Sequence, residues 1–205
     1  MFYYPIMLNI KSKKILIIGS GKVAERKLKS LIGKGADITV ISTEISDKIR
    51  SFSKIQEIKL IERQVDSDMM DFISSFYLVI LATDDRSLQD YISERLNEKS
   101  ILYLRADDKD SSFISPSSIE MENLCISIST YGKNPGSSIY LKNLIQEKLD
   151  LDNINRKIGL LSEIRDLIKL NYDEISDRKK LLSEIQDYSI DELYDYLSTL
   201  RNRKA

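Results

Sequence analysis

Apolar residues fall along this chain in two alternating patterns. Short unbroken apolar runs, 14–18 (KILII), 37–41 (DITVI) and 77–82 (YLVILA), read as strands buried on both faces. Residues 58–62 and 100–104 extend the series as a weaker third strand and a fifth. Between the runs the spacing changes. Val23, Ala24, Leu28, Leu31 and Ile32 recur at helical intervals over 22–34, with Gly35 placed to close that helix in a left-handed cap. A second helix is predicted over 44–54. Leu88, Ile92 and Leu96, four residues apart, mark another. Strand and helix in regular alternation predict an α/β fold of Rossmann type. Its parallel sheet is doubly wound by right-handed crossovers, and its ligand site lies beyond the carboxyl ends of the strands.

The rhythm breaks after Leu104. A polar stretch, 105–112, leads to Phe113 and Pro116. Residues 124–129 (LCISIS) read as one more strand, followed by the turn-formers Gly132 and Pro135. From Ser137 onward only helical spacing is left, and Ser189-Ile-Asp-Glu192 forms a capping box for the last helix. These shifts divide the chain into 1–112, a mixed region 113–150, and a small helical C-terminal domain 151–205.

Composition then removes whole classes of chemistry. The 205 residues include no histidine and a single cysteine, Cys125. Ser-His and Cys-His catalysis, histidine-ligated zinc and cysteine-rich metal clusters are excluded, as is an internal disulfide, and no metal is expected. With 31 basic and 32 acidic residues the net charge is −1, so no overall field draws the chain to nucleic acid or to an anionic membrane. The amino terminus is too short and interrupted for a signal peptide, and no run approaches the roughly 20 apolar residues that span a bilayer. A cytoplasmic address is expected.

The first strand meets the first helix at Gly19-Ser20-Gly21-Lys22-Val23-Ala24, which fits G-x-G-x-x-(G/A). Gly19 permits the tight turn. Gly21 lets a pyrophosphate approach the backbone, and Ala24 allows close helix–strand packing. The helix N-terminus offers unpaired N–H groups and a partial positive charge. This predicts a dinucleotide held by Gly19, Ser20, Gly21, Lys22 and Val23. The ribose-reading position falls at the end of the second strand. There Glu44 accepts from the ribose, or Ser42 and Thr43 do so through their hydroxyls; Glu44 equally suits a helix N-terminus. No arginine sits directly there to hold a 2′-phosphate, which favours NAD over NADP. At the end of the fourth strand, Thr83 and Asp84 face the same crevice, with Asp84 or Asp85 also suited to cap the next helix.

The sequence resembles the precorrin-2 dehydrogenase domain of siroheme synthases. The resemblance rests on the opening YYPIMLNIKSKKILIIGSGKVAERK, on LATDD (81–85), on ADDKDSSFISPSSI (106–119) and on ISISTYGKNPGSS (126–138), in the family's order, with weaker likeness through 177–182 (DRKKLL). It implies NAD-dependent oxidation of precorrin-2 to sirohydrochlorin, an interlocked homodimer built through 113–150, and a catalytic aspartate at Asp107, with Asp108 as its rival. A tetrapyrrole with eight carboxylates needs cationic partners, for which Arg105 and Lys133 are candidates. Ser129 and Thr130 occupy the family's Ser-Thr loop, which implies contact with substrate or cofactor. The chain departs from the family's pattern at Leu104 and Gln89, where asparagine is usual, and at Asn134, where serine is usual. Two other functions stay open: a bifunctional enzyme that also inserts iron into sirohydrochlorin, and a non-catalytic dinucleotide-sensing module.

Overall fold

Five strands form one parallel sheet in a computed structural model of the chain, which describes residues 3–55, 57–106 and 111–202. The strands are β1 (Lys14–Ile18), β2 (Asp37–Ser42), β3 (Ile58–Glu62), β4 (Leu78–Leu81) and β5 (Leu102–Arg105), in the order β3-β2-β1-β4-β5. This is the doubly wound order, and its direction reverses between β1 and β4. Four of five residues in β1 and all four in β4 are buried, because helices cover both faces. On one face Ile15, Ile17, Ile38, Val40 and Ile80 pack against Ala24 and Leu28 of α1 (Lys22–Leu31) and Ile49 of α2 (Asp47–Phe52). On the other face Leu16, Ile18, Ile41, Val79 and Leu81 pack against Ile73 of α3 (Met70–Ser74) and Ile92 and Leu96 of α4 (Arg86–Glu98). Successive strand residues thus feed opposite cores, which is why the runs show no polar alternation.

The chain forms two compact units, Met1–Ser115 and Pro116–Ala205. The second begins with an antiparallel pair, β6 (Ser117–Glu120) and β7 (Cys125–Ile128), with Ile119 opposite Ile126. Then follow α5 (Pro135–Lys148), α6 (Leu151–Asn171), α7 (Ile175–Glu184) and α8 (Ile190–Asn202). Leu160, Ile164 and Ile168 of α6 share a core with Leu193, Leu197 and Leu200 of α8. Arg178 closes α6: its Nε donates to Tyr172 O at 2.6 Å and its Nη2 to Lys169 O at 3.2 Å, satisfying carbonyls that a helix end leaves unpaired. The capping box of α8 forms, with Ser189 N donating to Glu192 Oε2 at 2.6 Å and Glu192 N to Ser189 Oγ at 3.3 Å. The bond donated by the Ser189 backbone N–H is the main cause holding the Glu192 carboxyl below its ordinary range.

The structure departs from the sequence pattern in places. Helix α1 stops at Leu31 rather than running to residue 34, because Ile32 is extended and Gly33 turns left-handed at φ +79°. Gly35, expected as the cap, is also left-handed at φ +73°, but in the turn beyond it. The second helix is six residues long, since Ser46 caps it through its hydroxyl. Strand β6 was not expected. It reads SSIE, with one apolar residue, and gains its strand identity from pairing with β7. Helix α3 was also not expected, being a five-residue piece after a single 3₁₀ turn.

Candidate functional site

The carboxyl edge of the sheet opens at the β1–β4 boundary, where the strand order reverses. Gly19 ends β1 at φ +110°, and its N–H donates to Ile41 O at 2.8 Å. A β-carbon there would lie 2.3 Å from Ala82 O, so the glycine loop is pressed directly onto the end of β4. Gly21 differs. It caps α1 in an extended conformation, φ −75° and ψ −177°, and no side chain accepts from the helix's first N–H groups. A β-carbon on Gly21 would meet nothing within 4 Å. Open space over a bare helix N-terminus is the cradle a diphosphate requires, so the residues present fit a dinucleotide. Lys22 is exposed at the first helical position and Val23 is half-buried beside it.

The described residues among those predicted in the first unit share this edge. Ser42 is half-buried at the end of β2, and Thr43 and Glu44 are exposed after it. Glu44 precedes the α2 cap, Ser46, by two residues, so it is not part of that helix's first turn. The Ser20 hydroxyl donates to Glu44 O, which ties the glycine loop to the β2–α2 loop. After β4, Asp85 caps α4 by accepting from Leu88 N at 3.0 Å, leaving Asp84 exposed at the crevice. Thr83 Oγ1 accepts from Asp85 N at 3.3 Å and retains its own proton for a ligand. Arg105 ends β5 on the same edge, but its guanidinium is engaged: Nη1 lies 2.6 Å from Asp90 Oδ1 and 3.4 Å from Ser93 Oγ, and only 10% of the side chain is exposed. With Asp90, Ser93, Glu94, Asn97 and Tyr103 it lines an open, polar cleft of about 420 Å³.

Asp107 and Asp108 lie outside the described residues. The residues flanking them are tied to β5. Ser111 Oγ accepts from Arg105 N at 2.9 Å. Ser112 Oγ accepts from Tyr103 N at 2.6 Å and donates to Tyr103 O at 2.9 Å. Sequence reasoning assigned no role to these two serines. Nor did it assign one to Gln89, which is 1% exposed and donates from Nε2 to Thr83 O, fixing the peptide that faces the crevice. The signals were a pair of serines directly after an acidic stretch of sequence, and a polar residue at a core-facing position of α4.

Ser129, Thr130 and Lys133 belong to the second unit, on one loop ahead of α5. Tyr131 and Gly132 within it are left-handed, at φ +55° and +72°. Ser129 Oγ accepts from Tyr131 N at 3.0 Å. Thr130 Oγ1 donates to Asn134 O at 2.8 Å and accepts from Asn134 N at 3.2 Å, so it organises the loop that Asn134 then caps onto α5. Lys133 is exposed.

One cation on α1 has an altered titration. Lys27 is half-buried, and burial, with Arg26 second, lowers it from 10.5 to about 8. Below pH 8 the ammonium is charged in both folded and unfolded chains, and the folded state bears the full cost. Between pH 8 and 10.5 the unfolded chain holds the extra proton, so the cost fades as pH rises. Lys27→Met is therefore expected to raise the unfolding free energy at pH 7 by about 1 kcal/mol after solvent screening, read as a higher urea midpoint. The gain should shrink by pH 10. An advantage that is equal at both pH values would disprove this.

Among the described residues no group of three His, Cys, Asp or Glu is placed to hold a metal. No helix there is long and apolar enough to cross a membrane.

Comparison with known proteins places this architecture. The family described as "Putative NAD(P)-binding" matches residues 6–117. A precorrin-2 dehydrogenase of Methanosarcina barkeri is 33% identical over 187 residues, covering 89% of this chain and 82% of that protein. A siroheme synthase of Buchnera aphidicola is 31% identical over 190 residues, covering 90% of this chain but 38% of the relative. The chain thus spans about two fifths of the siroheme synthases it matches. Among solved structures, SirC, a precorrin-2 dehydrogenase, superposes with a TM-score of 0.83 at 23% identity, covering 98% of this chain and all of that one, which shows a shared fold. With the Gly19–Ala24 cradle opening at the β1–β4 boundary, these likenesses establish that the chain belongs to the NAD(P)-binding family of precorrin-2 dehydrogenases and siroheme synthases.

Proposed function

We propose that this protein is an NAD-dependent precorrin-2 dehydrogenase, converting precorrin-2 to sirohydrochlorin on the tetrapyrrole branch that leads to siroheme. The likeness to the Methanosarcina protein carries this reading, because it spans most of both chains and not the dinucleotide domain alone.

Bound NAD supplies the hydride acceptor. The chain's own residues do the rest. The N–H groups opening α1 would hold its diphosphate, and Ser42, Thr43 or Glu44 would hydrogen-bond its adenosine ribose. Thr83 donates its hydroxyl proton toward the nicotinamide end, with its peptide held by Gln89. Asp107 takes the proton that leaves precorrin-2 as the hydride departs, or orients the ring for that loss. Ser129, Thr130 and Lys133 meet the substrate's carboxylates. Arg105 is paired with Asp90, so it could take a substrate carboxylate only by exchanging that partner for it.

The working form is a homodimer assembled through 113–150. Supporting this, α5 leaves Ile139, Tyr140 and Leu141 at 56%, 65% and 40% exposure, apolar surface that a second copy would cover. The protein acts in the cytoplasm.

Anaerobic incubation with precorrin-2 and NAD is expected to yield NADH and the sirohydrochlorin spectrum in equal amounts. Repeating it with ferrous iron is expected to leave the product metal-free. NAD binding with precorrin-2 untouched would overturn the dehydrogenase in favour of a dinucleotide sensor.

A further inference from the structure

Three cations stand around the carboxyl edge of β2, where an adenosine ribose is read, and each faces a carboxylate. Lys48 Nζ on α2 lies 3.5 Å from Glu25 Oε2 on α1. Arg50, also on α2, pairs with Glu62 at the end of β3. Arg63, the next residue, has Nη2 at 3.2 Å from Asp66 Oδ2. Of these carboxylates, Glu62 is the one on a strand paired with β2. It is in register with Ser42, the last residue of β2, one strand spacing away. Its Oε1 also accepts from Ile45 N at 3.3 Å, so the carboxylate reaches over the β2–α2 loop. Glu25 is likewise fixed, accepting from Ser46 Oγ at 3.0 Å, and its side chain is 16% exposed.

We infer that Glu62 and Glu25 make the cleft selective for NAD over NADP, by engaging Arg50 and Lys48 and so withholding both cations from a 2′-phosphate. The 2′-hydroxyl of NAD needs no cation, whereas the dianionic 2′-phosphate must leave water for a site already balanced in charge. The inference rests on dinucleotide binding at Gly19–Ala24. Lys22 at the diphosphate is common to both cofactors and to every variant below.

The test titrates the full chain with NADH and NADPH by nucleotide fluorescence at low ionic strength, and needs no tetrapyrrole. Wild type is expected to bind NADH more tightly. Glu62→Gln keeps an acceptor for Ile45 N but frees Arg50, and is expected to tighten NADPH about tenfold, the worth of one charge-assisted hydrogen bond. NADH affinity and the melting temperature should stay close to wild type. Glu25→Gln is expected to act in the same direction through Lys48. Adding Arg50→Gln to Glu62→Gln is expected to erase the gain. Wild type binding both nucleotides equally, or Glu62→Gln gaining nothing for NADPH, overturns the inference. A gain that survives Arg50→Gln also overturns it, because the carboxylate would then act by direct repulsion and not by pairing. If wild type binds neither nucleotide, the dinucleotide cradle itself falls, an outcome distinct from these.

Discussion

Valine at Gly21 is expected to leave the first unit folded and to weaken dinucleotide binding about a hundredfold, whereas valine at Gly19 is expected to unfold the cleft. The two glycines lie two residues apart, yet they serve different physics. Gly21 has φ −75°, which any residue adopts, and its β-carbon would enter empty space. The fold therefore loses only the difference between glycine and valine as a helix cap, about 1 kcal/mol. What valine fills is the approach by which a diphosphate reaches the N–H groups of α1. Gly19 has φ +110°, and its β-carbon would lie 2.3 Å from Ala82 O. Left-handed strain and backbone displacement together cost roughly 3 kcal/mol or more, a large share of the stability of a domain this size. Thermal melts with NADH fluorescence titrations separate the cases. A Gly21→Val protein that still binds NADH as wild type does would remove the cradle from the site.

That contrast also marks how far the sequence could be read. The G-x-G-x-x-A turn gives the strand–helix junction and its ligand, because glycine spacing and apolar runs are local features. Which glycine faces β4 and which faces open space depends on strand order, which no local pattern states. The same division recurs elsewhere. Lys48 and Arg50 fall within the helix predicted over 44–54, just past the ribose-reading position. Their carboxylate partners were not legible, because Glu62 comes from a neighbouring strand and Glu25 from the preceding helix. Arg105 was legible as a cation near the crevice, but its pairing with Asp90 depends on α4 lying beside β5. Strand β6 was missed for a related reason: SSIE carries too little apolar pattern, and its partner lies across a turn. Thr130 was read as a ligand contact from its place in the Ser-Thr loop. Its two hydrogen bonds to Asn134 show that it first builds that loop.

Alanine at Asp107 is expected to lower kcat for precorrin-2 oxidation by about 10²- to 10⁴-fold, the usual contribution of a positioned general base, while NADH binding stays unchanged. The absence of histidine gives this prediction its force, since any side-chain base must come from Asp, Glu, Tyr or Lys. Asp107 comes two residues after Arg105, which ends β5 at the carboxyl edge that carries the cofactor crevice, and the described residues nearest it in sequence are fastened there. Arg105 is held by Asp90, while Ser111 and Ser112 bond the backbone of Arg105 and Tyr103. Asp107→Ala leaves these anchors in place, so lost turnover with an unchanged melting temperature is the expected pairing. Asp107→Asn then divides the two roles. It preserves size and hydrogen bonding but removes the base. A proton acceptor therefore loses activity in both variants, whereas a residue that only orients the ring keeps much of it as asparagine. Asp108→Ala is expected to act within a few-fold of wild type, well short of a lost base. If Asp108→Ala abolishes turnover and Asp107→Ala does not, the base is Asp108, and the chain carries its catalytic carboxylate one residue later than the family pattern implies.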